Sequence, residues 1–447
     1  MVVFLTKAMA MMGVLFAATQ AGCEEDHSLA YLMSMMGTHT LYDYRASSSF
    51  HSTRRSRLPP TCPSDSKPAH VEALVRHGAR HATSPQKLTE LASALMELGS
   101  PLPWLTDYAY PGHADDASNL LEAGMEAQMH LASRIAAGYE PGFFGNYNPN
   151  HLVLESTSIS RAGQSAASFA QGANVHSPFV RMVPTEIDDA LRYFDHCEMW
   201  AGEKTRRKEM VKEYYLSSEY RSALRAFSEG LLLPNATSAT PSQFKDAFEA
   251  CAYDLILRNS SSMFCSVFSP EMLLVQNYYA DLRKYYEYGP GDGGPSYAIN
   301  RNFAAHLFKD IVASIERSIF GDEPFKGTLR FAHAETIVPA LSVLGLFDGD
   351  EPLSLEARDP DRSFKANEFF PFSSNLVIQV LKCSHGKNYL KFMVNENDVA
   401  VRGCDNEVYC EYDKFKQSIG DLLDLADRQT LQEICQVDAA NFSSNFK

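Results

Sequence analysis

The chain has 447 residues, 45% of them hydrophobic and 11% aromatic, enough to bury a large core in one big domain or two and to exclude overall disorder. Its formal net charge of −15 excludes the broad positive face of a nucleic-acid or general polyanion binder. An anionic ligand would have to be held in a local basic pocket.

The first element in chain order reads as an export signal. Lys7 supplies a positive charge, Ala8 to Ala18 form an apolar run, and the small residues Ala21 and Gly22 follow. This predicts a signal peptide over residues 1–21, secretion, and no membrane insertion after cleavage. The alternative is an uncleaved anchor, but the run is short for a bilayer, and no other stretch reaches about 18 uninterrupted apolar residues. Export would put the 9 cysteines in an oxidising compartment, where pairing is the default and an odd count leaves one over. The short spacings Cys251/Cys265 and Cys404/Cys410 suit local loops, and no cysteine pair has the spacing a zinc site needs. Sequons at Asn235, Asn259 and Asn441 fit the same compartment.

Between Tyr44 and Pro68 the chain is rich in Ser, Arg and Pro, which predicts an irregular surface segment with the fold proper starting near His70. His70 to Val75 reads as a strand ending at Arg76-His77-Gly78, followed by a helical pattern with Leu88, Leu91, Ala92, Leu95 and Leu98 before Gly99. Strand, loop and helix recur at Leu152–Leu154 before Ser160-Arg161, and again at Leu329–Ala332 before His333. Three such junctions, each with a basic residue where the strand ends, predict an α/β sheet whose chemistry gathers beyond the carboxyl ends of its strands. Long helical patterns such as Glu209–Phe227 and Glu271–Tyr286 predict a helical insertion between Gly172 and Gly327. Leu376–Leu381 and Tyr389–Val394 read as the arms of a β-hairpin.

Each residue type in Arg76-His77-Gly78-Ala79-Arg80 has a use if the ligand is a phosphoryl group. An imidazole can attack phosphorus once one ring nitrogen is unprotonated and the other aims it. Guanidinium forks grip nonbridging oxygens and stabilise the charge spread over them in the transition state. Gly78 permits close backbone approach, and the following helix turns a positive N-terminus to the anion. His333-Ala334-Glu335 adds a carboxyl group able to protonate a departing alkoxide. Arg161 adds a third guanidinium. Singly these strings also suit a surface turn, a helix-start carboxylate and a solvated arginine, and only the set points to chemistry.

With those residues in view, the chain resembles the histidine acid phosphatase superfamily and, within it, the multiple inositol polyphosphate phosphatase branch. The Arg-His-Gly-x-Arg string resembles the superfamily signature. His333-Ala334-Glu335-Thr336 resembles this branch, where most acid phosphatases and phytases have His-Asp. Supporting stretches include Gly37 to Tyr42, Arg161 to Gly172, Leu191 to Cys197, Met263 to Cys265, Asp281 to Arg283 and Cys404 to Cys410. Ala82, His39 and Leu41 depart from the residues common in the family.

The resemblance implies a phosphoglycerate-mutase-like central sheet flanked by helices: a phosphatase domain over 22–172 and 328–447, interrupted by a mainly helical insertion over 173–327. It implies that His77 is the phosphorylated nucleophile and Glu335 the proton donor, with Arg76, Arg80, Arg161 and His333 binding the scissile phosphate. It further implies a Cys62–Cys383 bridge and a small, highly anionic phosphorylated substrate, with no metal, cofactor or nucleic acid. An inositol polyphosphate is the expected substrate. The alternatives are 2,3-bisphosphoglycerate, a broad range of phosphomonoesters, or an inactive secreted binding protein on the same fold. Lys87, Arg192, Lys204, Arg206, Arg207 and Arg301 are candidates for further cations around the site.

Overall fold

A computed structural model describes residues 29–45 and 58–435, apart from positions 60, 64, 65, 295, 296 and 406. The export signal, Cys23 and the Asn441 sequon lie outside the described residues.

The strands are β1 (His70–Arg76), β2 (Leu152–Thr157), β3 (Val180–Val183), β4 (Gly327–Ala332), β5 (Asn375–Lys382), β6 (Asn388–Val394), β7 (Asn397–Val399) and β8 (Tyr409–Glu411). They form one mixed sheet in the order β3-β2-β4-β1-β5-β6-β7, with β8 also on β6. β3, β2, β4 and β1 run parallel, and β5 and β6 form the antiparallel hairpin. The registers Arg76↔Ala332 and Ser156↔Phe331 bring the carboxyl ends of β1, β2 and β4 level. His77, the turn before Arg161, and His333 therefore emerge along one edge, where an α/β sheet places its site.

The longer helices are α1 (Pro85–Glu97), α2 (Glu122–Ala136), α3 (Ser160–Gly172), α4 (Glu198–Val211), α5 (Ser218–Gly230), α6 (Pro241–Arg258), α7 (Pro270–Glu287), α8 (Ala305–Phe320) and α9 (Ala334–Val343). On one face of the sheet, α2 and α3 bury Leu131, Ile135, Ala166 and Phe169 against Val71, Val75, Leu154 and Phe331. The other face buries Leu74 and Ile378 with Ile311 and Ile315 of α8, and this core runs on into Trp200, Phe227, Phe244 and Tyr253 of the helical region. The fold is the mixed α/β sheet flanked by helices read from the sequence.

Three local readings change. The pattern Glu209–Phe227 is not one helix: a 3₁₀ turn over Lys212–Leu216 divides it, and Ser217 starts α5 by accepting a hydrogen bond from the Tyr220 amide. β3 falls inside the stretch read as helical, because four residues with mixed exposure give no strand period. The fold also starts before His70. The Gly37 amide donates to Asn277 Oδ1 at 2.8 Å, and Asn367 donates to Ser34 O at 2.9 Å, which ties residues 34–40 to α7 and to the approach to β5. Disulfides join Cys62 to Cys383, Cys251 to Cys265, Cys404 to Cys410 and, unforeseen, Cys197 to Cys435. Among the described residues no helix is long and apolar enough to cross a membrane.

Candidate active site

Beyond the level strand ends lies a cavity of about 530 Å³ lined by Arg76, His77, Arg80, Arg161 and Glu335. His333 stands just behind, its ring centre 5.5 Å from that of His77. Of the further cations suggested by sequence, Lys204 also lines the cavity. Arg192 reaches the site through His333, donating from Nη1 to His333 Nε2 at 2.9 Å.

The other candidates are engaged elsewhere. Lys87 pairs with Asp246, Arg206 with Glu203, and Arg301 with Asp421. Arg207 is fully buried, with its guanidinium over the Tyr297 ring and Nη1 on Asn300 Oδ1 at 2.9 Å. These four are structural or surface charges.

His77 follows β1 directly, and its amide donates to Ala332 O of β4 at 3.0 Å. Its Nδ1 lies 2.9 Å from Gly78 O. A carbonyl only accepts, so Nδ1 carries the proton and Nε2 keeps its lone pair. Burial, followed by the charges of Arg76 and Arg161, holds the His77 pKa well below the ordinary histidine value, which keeps that lone pair available in acid. His333 accepts from Arg192 and so is also neutral; burial and Arg161 pull its pKa to about 3.

The guanidinium groups are fixed from behind. Arg76 is 5% exposed, donates from Nη1 to Thr38 O and Phe370 O at 2.7 Å each, and lies over the Phe372 ring. Arg80 donates to His81 O and to Tyr253 Oη. Nε of Arg76 and Nε of Arg161 are buried without a partner. Burial, then mutual repulsion among the neighbouring cations, lowers the Arg76 pKa to about 9 and that of Arg161 to about 10, and an incoming dianion would relieve both effects.

The loop itself needs glycine. A Cβ on Gly78 would run into the Gly124 carbonyl at the start of α2, and the Gly78 amide donates to Ser165 Oγ of α3 at 3.0 Å. A backbone contact with α2 and an amide-to-hydroxyl hydrogen bond with α3 thus hold the loop after His77 against two helices.

Glu335 is in the first turn of α9, and its Oε1 meets Lys284 Nζ at 2.6 Å. Burial alone would raise its pKa, but Lys284, and after it the Arg76 guanidinium, hold the carboxyl well below the usual carboxylate range. Lys284, Arg283 and Lys245 line the cavity, as does His39. Sequence reading did not propose these as pocket residues. Only the family-like stretches around Asp281 and Gly37 hinted at two of the segments.

An imidazole with a free ring nitrogen, three guanidinium groups and a carboxyl group in one cavity can carry phosphoryl transfer. The sequence profile of the histidine phosphatase superfamily (branch 2) matches residues 69–395. The chain belongs to that superfamily.

Among its relatives, multiple inositol polyphosphate phosphatase 1 of Gallus gallus is 29% identical over 407 residues, which covers 86% of this chain and 87% of the relative. The Homo sapiens protein of the same name is 28% identical over 425 residues, covering 85% and 83%. Of solved structures, the D. castellii phytase superposes with a TM-score of 0.68 at 16% identity, covering 88% of this chain and 85% of that one, a likeness of fold. The chain is accordingly a histidine acid phosphatase.

Proposed function

We propose that this phosphatase hydrolyses inositol polyphosphates, phytate and its lower products, through a phosphohistidine on His77. The observation that carries this reading is the number of cations in the cavity. Arg76, Arg80 and Arg161 suffice for one phosphoryl group, yet Lys204, Lys245, Arg283 and Lys284 also line the walls, the last three each paired with a carboxylate (Asp246, Glu287 and Glu335) with which a substrate phosphate would compete. A monophosphate has no use for the second set, whereas a ring bearing several phosphates does. The names of the relatives, multiple inositol polyphosphate phosphatase 1, support the same substrate class.

In the first step Nε2 of His77 attacks phosphorus and the ester P–O bond breaks, while Glu335 delivers its proton to the leaving oxygen. Arg76, Arg80, Arg161 and His333 hold the nonbridging oxygens. In the second step water attacks the phosphohistidine and loses a proton to Glu335. Inorganic phosphate departs and His77 is regenerated.

The helical stretch between Gly172 and Gly327 would act as an insertion that roofs the cavity and supplies the second set of cations. Four disulfides suit an exported protein, and exposed Asn235 and Asn259 leave their sequons open to glycans.

The test is a product-isomer time course on phytate, with 2,3-bisphosphoglycerate assayed in parallel and excess chelator present. Stepwise release of phosphate from phytate is expected. Hydrolysis of 2,3-bisphosphoglycerate alone would transfer the reading to that substrate. A loss on chelation that added Mg²⁺ restores would overturn the guanidinium clamp as the sole source of charge neutralisation.

A further inference from the structure

Resting on the reading of Glu335 as the proton donor, we propose that Lys284 makes that acid answer to a second phosphate. It holds Glu335 as a carboxylate until a phosphate on the adjacent ring carbon draws the ammonium away. The starting observation is a conflict. An acid must carry its proton when the leaving oxygen departs. Here the carboxyl group sits 2.6 Å from Lys284 Nζ, in a first-turn position that also favours the ionised form.

The other groups that face Glu335 do not resolve the conflict. Arg76 from β1, Arg161 from α3, Lys204 from α4 and His333 beside it are cations or neutral donors, while Tyr193 and Tyr288 are buried phenols. A scissile phosphate on the three guanidinium groups offsets Arg76 and Arg161. Lys284 comes from α7, on a different wall from the strand-end loops that carry the clamp, and in this proposal a lone phosphate held by the clamp leaves the ion pair intact.

Lys284 is built to change partners. Its side chain is 16% exposed and lines the cavity, with Nζ 4.7 Å from the centre of the Tyr288 ring. The ring gives the ammonium a second contact that survives a small swing. A phosphate dianion next to the leaving oxygen is a stronger acceptor than one carboxylate oxygen. Once Nζ turns to it, Glu335, half-buried in the cavity wall, loses its cationic partner and gains a nearby negative charge, and both effects drive it to take up a proton. Recognition of a vicinal phosphate thereby appears in the chemical step as well as in affinity.

The test compares pH profiles of kcat/KM between pH 3 and 7 for phytate, myo-inositol 1-phosphate and p-nitrophenyl phosphate. In the wild type, the basic limb for phytate should lie about one pH unit or more above that for inositol 1-phosphate. Lys284→Met should raise the limb for inositol 1-phosphate by a similar amount and close the gap, and should shift the p-nitrophenyl phosphate profile less, because that leaving group needs little acid help. Lys284→Arg should restore the wild-type gap, which sets coupling apart from a folding defect.

If Lys284→Met only raises KM for phytate and leaves the inositol 1-phosphate limb where it was, Lys284 is a binding cation and the coupling is wrong. Wild-type turnover of inositol 1-phosphate without turnover of phytate would overturn the substrate reading, and the Lys284→Met limb would still decide the coupling.

Discussion

At the scale of single residues, nucleophile and acid should fail in different ways. His77→Ala removes the attacking nitrogen and should abolish both turnover and covalent labelling on every ester. Glu335→Gln keeps the shape but cannot donate a proton, so hydrolysis of inositol phosphates should fall by roughly 10²- to 10⁴-fold. Phosphorylation by p-nitrophenyl phosphate should suffer less, and rapid quench should trap phosphohistidine if Glu335 also activates the water. Equal losses on both substrates with no trapped intermediate would move the search to another carboxylate.

The buried histidines give a second prediction, in stability. His77 and His333 hold pKa values below the unfolded value of about 6.5, so as pH falls below 6.5 the unfolded chain takes up protons that the folded chain refuses. Each group should cost ~1.4 kcal/mol per pH unit over that window. Urea titrations at pH 7 and pH 5 should show His77→Ala losing less stability on acidification than the wild type. Parallel losses would mean that His77 titrates normally.

At the scale of elements, the site depends on how closely α2 approaches the loop after β1. A Cβ on Gly124 would collide with the backbone of Ala79, two residues beyond His77. Two effects compete in Gly124→Ala. Helix propensity favours alanine by about 1 kcal/mol, whereas forcing backbones apart costs about 1–3 kcal/mol. The collision is with carbonyl and amide atoms that cannot rotate away, so the cost should win. The variant should have a lower urea midpoint and a reduced kcat, and a stabilised variant would refute the close approach.

The same elements show what the sequence could carry. The junction at Arg76-His77 was legible because a strand period, a glycine and a helix period follow one another within one local window. β1 is the strand read from the sequence, but its burial on both faces was not visible there. It looks apolar, yet Glu72 is buried on its α8 side with Arg330, His70 and Ser314 as partners, and such an ion pair is visible only once β1 and β4 are adjacent. Lys284 was illegible for the same reason, since its partner Glu335 lies 51 residues away. Cys197–Cys435 spans 238 residues, and no local pattern encodes that pairing.

At the scale of the whole molecule, the acidic chain concentrates positive charge in one cavity, which the net charge of −15 required of any anion binder. The walls of that cavity come from distant parts of the chain: residues 36–39, the ends of the parallel strands, and α4, α6 and α7. Long-range covalent links therefore bear on the site as well as on stability. Cys197 precedes α4, which carries Lys204, so its bridge to Cys435 ties one wall of the cavity to a segment 238 residues further along the chain.

In the chain-entropy account, closing a loop with a sequence separation of 238 stabilises by about 5 kcal/mol, against roughly 2 kcal/mol for the separation of 6 between Cys404 and Cys410. Replacing both cysteines of each bridge by alanine should therefore lower the urea midpoint much more for Cys197/Cys435 than for Cys404/Cys410. Only the former should also raise KM for phytate, through a displaced α4. Equal midpoint shifts would show that local packing at the cysteines, rather than loop closure, sets their contribution. An unchanged KM would show that α4 is held in place by the core around Trp200 and Phe303 without help from the bridge.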